Sequence, residues 1–153
     1  MDLTLKHVKI WTSAGAIDFD NSLRKTASTI QIPFVKHHQQ VHNAKSQLAE
    51  HTDDSSVLLK PGSYLVDFNE TVDVPLDLMG QIFVRSSLFR SGALLSAGVM
   101  DSGYKGAVGA MLQVVNPHGL LLFRDARLAQ IVFHPMSEPV VGYSGAYQGS
   151  TTA

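Results

Sequence analysis

The chain has 153 residues, with twelve Lys+Arg against thirteen Asp+Glu for a formal charge of −1, 44% hydrophobic and 16% charged residues, and no cysteine. That is one ordinary domain with enough apolar content for a real core, which excludes intrinsic disorder. The balanced charge excludes a nucleic-acid coat and a polybasic membrane binder. Without cysteine there are no disulfides, thiolate metal sites or cysteine nucleophiles. No run approaches the roughly 20 apolar residues of a membrane span. The start, Met1 to His7, reads as neither a signal peptide nor a transit peptide. A single cytoplasmic domain over 1–153 is expected, and twelve Gly with six Pro lean towards strands joined by turns.

In chain order, Thr29 to Val35 has partial alternation, and Pro33 suits an edge or bulge. Residues 36–56 are polar, with Val41, Ala44 and Leu48 at helix-like spacing, and read as a surface insertion. Pro61-Gly62 is a turn signal before a strand from Ser63 to Phe68. Gln81 to Val84 follows as a strand. Ser87 to Ser91 then reads as a short helical turn with Ser86 or Ser87 as its N-cap. A glycine-flanked hairpin spans Gly98 to Gly106. Val108 to Val115 and Leu120 to Phe123 are strands separated by the tight turn Asn116-Pro117-His118-Gly119. Arg127 to Phe133 and Val140 to Tyr143 complete the set, and 149–153 reads as a small, polar, mobile tail. Many short strands at such spacing predict an all-β barrel or jelly roll.

Three clusters invite a chemical reading. His38 and His42 would share a helix face at i, i+4, near His37 and His51. No glutamate follows the first and no cysteine supports them, so a solvated His- and Gln-rich loop is the better account. Arg85-Ser86-Ser87 places a guanidinium and two hydroxyls at the mouth of a helical turn, a reasonable cradle for an anion; a capped surface turn is the plain alternative. In the hairpin, Asp101 can polarise a water and Tyr104 offers a flat face. An aromatic packed over its turn is the alternative there.

The order of the pieces carries more than any one of them. Arg85-Ser86-Ser87-Leu88, Gly98 to Gly106, Ala126 to Phe133 and Tyr143 to Ser150 resemble motifs two to five of the dUTPase and dCTP deaminase superfamily, in order. A degenerate first motif sits at Ala16-Ile17-Asp18-Phe19-Asp20. The resemblance implies a distorted jelly-roll β-barrel forming a homotrimer with shared active sites. It implies that Arg85, Ser86 and Ser87 hold a triphosphate with Gln130, Tyr147 and Gln148. The hairpin from Ala97 and Gly98 to Asp101 would read the pyrimidine edge, Tyr104 would press on the deoxyribose, and Asp101 would orient the reacting water. Asp18 would contact water in the shell of a substrate-bound Mg²⁺.

Two activities live on that fold. Deamination needs a proton shuttle, which the deaminase branch supplies as a glutamate three residues before an Asn. Gln113 stands there, counting back from Asn116, and no Glu occurs between Glu70 and Glu138. Glutamine cannot exchange a proton near neutral pH. Arg90 matches a deaminase-branch arginine, the fifth motif is closer to the deaminase form, and Ala97 stands where dUTPases often carry Asn. The expectation is a dUTP pyrophosphohydrolase from the deaminase-like side of the superfamily, with dUTP, Mg²⁺ and its own copies as partners and neither nucleic acid nor membrane. The alternatives are a dCTP deaminase and a non-catalytic nucleotide-binding regulator.

Overall fold

The computed structural model describes residues 1–36 and 55–153. The His-rich stretch with His37, His38, His42 and His51, and nearly all of the expected insertion, lie outside the described residues. Among the described residues the chain forms strands β1 (Asp2–Trp11), β2 (Thr29–Ile32), β3 (Val35–Lys36), β4 (Ser55–Leu59), β5 (Gly62–Asp73) and β6 (Leu78–Val84). Then come a single-turn helix α1 (Ser86–Arg90), β7 (Ala93–Ser96), β8 (Lys105–Val114), β9 (Leu120–Phe123) and β10 (Arg127–Pro135). The fold is all-β, as the turn spacing implied. No helix among these residues is long and apolar enough to cross a membrane.

The larger sheet runs β6-β10-β1-β5-β8-β7, with β2 also pairing β1, and curls into a nearly closed barrel. A smaller sheet, β3-β4-β9, stands beside it. All the pairings are antiparallel. Alternation on β8 buries Val108, Ala110, Leu112 and Val114 and turns the intervening residues out. On β1 the alternation changes phase. Leu3 and Leu5 are buried, the register to β5 slips between Leu5 and His7, and the next buried residue is Val8. Together with Val66 and Leu59 these side chains form one core.

Pro33 interrupts the expected Thr29–Val35 run, leaving β2 and β3 as separate strands, as its missing N–H requires. The Asn116–Gly119 turn forms: Gly119 N–H donates to Asn116 C=O at 2.9 Å, and Gly119 has φ +83°. Two expectations are corrected. Val140 to Tyr143 is not a strand; the segment is held irregularly, with Val140 N–H on Leu76 C=O and Tyr143 N–H on Ser102 C=O. The N-cap of α1 is Arg85, with extended backbone and no side-chain cap, because its N–H is still engaged with Leu128 C=O at 3.0 Å at the end of β6. Ser86 and Ser87 already lie inside the turn.

Candidate active site

The β7–β8 connection builds one wall of a cavity of about 570 Å³, which is ample for a nucleoside. Met100 pairs with Gly80 across the barrel mouth through two 2.9 Å backbone hydrogen bonds, which pin the loop. The turn closes where Tyr104 N–H donates to Asp101 C=O at 3.0 Å. Gly103 is required within it: its φ is +78°, and a Cβ would lie 2.8 Å from Gly142 Cα. This geometry brings Ala97, Gly98, Asp101 and Tyr104 to the same cavity. Asp101 is exposed, and it is the only side-chain carboxylate among the described residues that line it.

Tyr104 is held at both ends. Its hydroxyl donates to Ala107 C=O at 2.6 Å, and its ring meets Tyr143 edge-on at 5.5 Å between centroids. Burial, with a smaller contribution from Tyr143, raises the pKa of its hydroxyl above the ordinary tyrosine value. The far wall of the cavity is the chain's own C-terminal segment, with Tyr147, Ser150, Thr152 and Ala153 all lining it. Tyr147 also carries the Arg24 guanidinium 5.5 Å from its ring centroid.

That segment is fastened by backbone hydrogen bonds, Gly149 N–H to Lys105 C=O at 2.7 Å and Ala107 N–H to Ser150 C=O at 2.8 Å, and by contacts that involve side chains. The Gln148 side chain accepts from Lys105 N–H at 3.0 Å and donates to Gly103 C=O at 2.9 Å, so it binds the hairpin and does not line the cavity. Ala153 N–H donates to Asp67 at 3.1 Å. Asp67 is a buried carboxylate that also meets Lys9 at 2.6 Å and His7 Nδ1 at 3.1 Å. Gly109 permits this docking, since a Cβ there would collide with Ala153 and lie 2.8 Å from Val66 C=O.

The remaining expected site residues are elsewhere. Arg85 and Gln130 converge on Asp2, a residue the sequence reading passed over. Asp2 Oδ1 accepts from Arg85 Nη1 at 2.6 Å and from Gln130 Nε2 at 3.2 Å, while Arg127 Nη1 lies 3.6 Å from Oδ2. Asp2 and Gln130 are cross-strand partners in the β1–β10 register, which a linear sequence does not display. Burial raises the Asp2 pKa, but the Gln130 hydrogen bond and the charges of Arg85 and Arg127 outweigh it and hold the group below the ordinary aspartate range. Ser86 and Ser87 are exposed at the start of α1. Asp18 sits in the β1–β2 connection, whose two ends bring Trp11 and Thr26 to the cavity. One Asp18 oxygen takes Leu23 N–H and Ser22 Oγ; the other is buried without a hydrogen-bond partner.

A family model described as dCTP deaminase-like matches residues 14–136. The chain belongs to the dUTPase and dCTP deaminase superfamily. A probable deoxyuridine 5'-triphosphate nucleotidohydrolase of Methanosarcina mazei is 39% identical over 153 residues, 99% of this chain and 80% of that protein. The deoxyuridine 5'-triphosphate nucleotidohydrolase of Methanocaldococcus jannaschii is 34% identical over 135 residues, 88% of this chain and 75% of that one. The crystal structure of a 2'-deoxycytidine 5'-triphosphate deaminase from Agrobacterium tumefaciens matches with a TM-score of 0.53 at 18% identity, covering 87% of this chain and 36% of that one. The barrel is therefore the superfamily's distorted jelly roll. Gln113 is the residue that the sequence resemblance sets against the deaminase glutamate. It is exposed on β8 outside the cavity, and Met111, two residues earlier on the same face, lines the cavity.

Proposed function

We propose that the chain hydrolyses dUTP to dUMP and pyrophosphate, with a water oriented by Asp101 attacking the α-phosphorus. One observation carries the choice of hydrolysis over deamination: Gln113, where the resemblance places the deaminase's proton-shuttling glutamate, is an amide exposed on β8 outside the cavity, whereas Asp101 lines it. A deaminase needs a group that both activates water and protonates a departing amine. A hydrolase acting on a phosphoric anhydride needs a base and a good leaving group, which pyrophosphate already is. The names of the full-length relatives point the same way.

In this reading the pyrimidine lies along the backbone of Ala97 and Gly98, and the sugar packs on Tyr104. Nothing lies within 4 Å of where a Gly98 Cβ would stand, so the space before it is open. Asp101 takes a proton from water as the oxygen bonds to the α-phosphorus. The bond from that phosphorus to its bridging oxygen breaks, and the oxygen departs with pyrophosphate. Arg85, Ser86, Ser87 and Gln130 bind the triphosphate, and Tyr147 and Gln148 close the site from the C-terminal segment. Magnesium, when bound to the triphosphate, neutralises phosphate charge. The chain suits an ion held mainly by phosphates and water: no group of three or more metal-ligating side chains occurs among the described residues, and Asp18 offers one unengaged carboxylate oxygen.

Arg85, Ser86, Ser87 and Gln130 do not line the cavity of their own chain. This supports a closed homotrimer in which neighbouring copies complete each site. The β6–β10 face leaves Phe83 and Val132 exposed, as an intersubunit surface would need. Light scattering is expected to give three times the chain mass, and a fully active monomer would contradict the shared site. The activity test follows pyrophosphate from dUTP and ammonia from dCTP, each with Mg²⁺. Pyrophosphate without ammonia is expected; ammonia released at a matching rate would overturn the assignment.

A further inference from the structure

Asp2 occupies the place to which both proposed phosphate donors point. Its Oδ1 takes one Arg85 guanidinium N–H at 2.6 Å and the Gln130 amide at 3.2 Å, and Arg127 stands 3.6 Å from Oδ2. Three adjacent strands arrange this convergence. Asp2 lies on β1 opposite Gln130 on β10, and Arg85 follows directly from β6, which pairs β10 on its other side. The Arg85 and Asp2 side chains keep 32% of their surface exposed, so an incoming anion can reach them. A carboxylate between a guanidinium and an amide donor is what a phosphate oxygen would otherwise be.

We infer that Asp2 is a resident counter-anion of the phosphate-binding face, which polyphosphate must displace from Arg85 and Gln130 and which re-forms its contacts as pyrophosphate leaves. The inference rests on the assignment of Arg85 and Gln130 as triphosphate ligands. Asp2 acts through them as a positioning residue, not a catalytic one. Two cations, Arg85 and Arg127, face a single carboxylate, so the cluster carries one net positive charge. Bare phosphate and pyrophosphate then compete against an intramolecular partner already in place. A nucleotide also anchored by base and sugar in the 570 Å³ cavity gains binding that pyrophosphate lacks. The carboxylate thus favours whole substrate over released product.

The test is titration of the full chain with pyrophosphate, alongside pyrophosphate inhibition of dUTP turnover, for wild type, Asp2→Asn, Asp2→Glu and Arg85→Ala. Asp2→Asn keeps the shape and removes the charge, and is expected to bind pyrophosphate about tenfold more tightly and to be inhibited by it correspondingly more. The gain should shrink as salt is raised, since the groups are partly exposed. Asp2→Glu should return affinity towards wild type. A purely structural Asp2 would change the melting temperature and leave pyrophosphate affinity where it was. Unchanged or weaker pyrophosphate binding in Asp2→Asn, with clearly weakened binding in Arg85→Ala, overturns the inference alone. Unchanged binding in Arg85→Ala overturns the phosphate-face assignment and the inference with it.

Discussion

The cavity under the β7–β8 loop and the cluster around Asp2 are built in opposite ways. The cavity is walled by backbone, aromatic rings and apolar side chains, with Asp101 as the only side-chain carboxylate among the described residues that line it. The Asp2 cluster is almost entirely charge: two guanidiniums, an amide and a carboxylate on three neighbouring strands. Shape and apolar contact are not weakened by screening, whereas partly exposed ion pairs are screened within about 10 Å at 0.1 M. Base and sugar selectivity should therefore survive high ionic strength, while triphosphate affinity should fall.

The largest effect that would sharpen this contrast belongs to the cavity. Asp101→Asn is expected to lower dUTP turnover by roughly two to four orders of magnitude while leaving nucleotide affinity largely intact. Wild-type pyrophosphate release by that variant would remove Asp101 from its role. On the charged side, Arg85→Ala should weaken dUTP binding by roughly tenfold to a hundredfold, the worth of a hydrogen bond from a charged donor. Its residual affinity should depend less on salt than that of wild type, which titrations at two ionic strengths will show.

The effect on sugar selectivity comes next in size. A 2'-hydroxyl pressed on the Tyr104 ring loses water without gaining a partner, at about 1–3 kcal/mol, so UTP should be poorer than dUTP by at least roughly tenfold in kcat/KM. Tyr104→Phe separates ring from hydroxyl: it should keep that ratio and lower stability by about 1 kcal/mol, because Ala107 C=O loses its donor. A ratio that collapses in Tyr104→Phe would move the discrimination from the ring to the hydroxyl.

The smallest effect is on acid stability. The Asp2 pKa in the folded chain lies below its ordinary value of 3.8, so its contribution is present above that value and is lost as pH falls through the lowered one. Melting curves at pH 2 to 6 should show wild type losing part of its advantage over Asp2→Asn at the acid end. An advantage constant across that range would mean that the ion pairs do not stabilise the fold.

Legibility followed period and separation. Strand β8, with its clean alternation, and β10, with its apolar run, were readable, and so was the Asp101 turn with its flanking glycines. Strand β1 was not, because its register slip puts Leu3, Leu5 and Val8 on one side where a strict period of two would not. Strand β4 hides behind Ser55 and Ser56, buried residues of a polar type that made 36–56 look like surface. Strand β7 is four residues long and follows α1 too closely to show a pattern. The role of Asp2 depends on a partner 128 residues away, and only the sheet register brings the two together.

The Gln148 amide has one more consequence. Its oxygen and nitrogen satisfy Lys105 N–H and Gly103 C=O, acting as one rung of a missing strand across the root of the hairpin. Were the C-terminal segment detached, both backbone groups at the hairpin's root would lose those partners, so this one side chain ties the order of the segment to that of the loop that carries Asp101. Protection of the Lys105 amide against hydrogen exchange is therefore expected to fall in Gln148→Ala, by the free energy that this rung adds to local order.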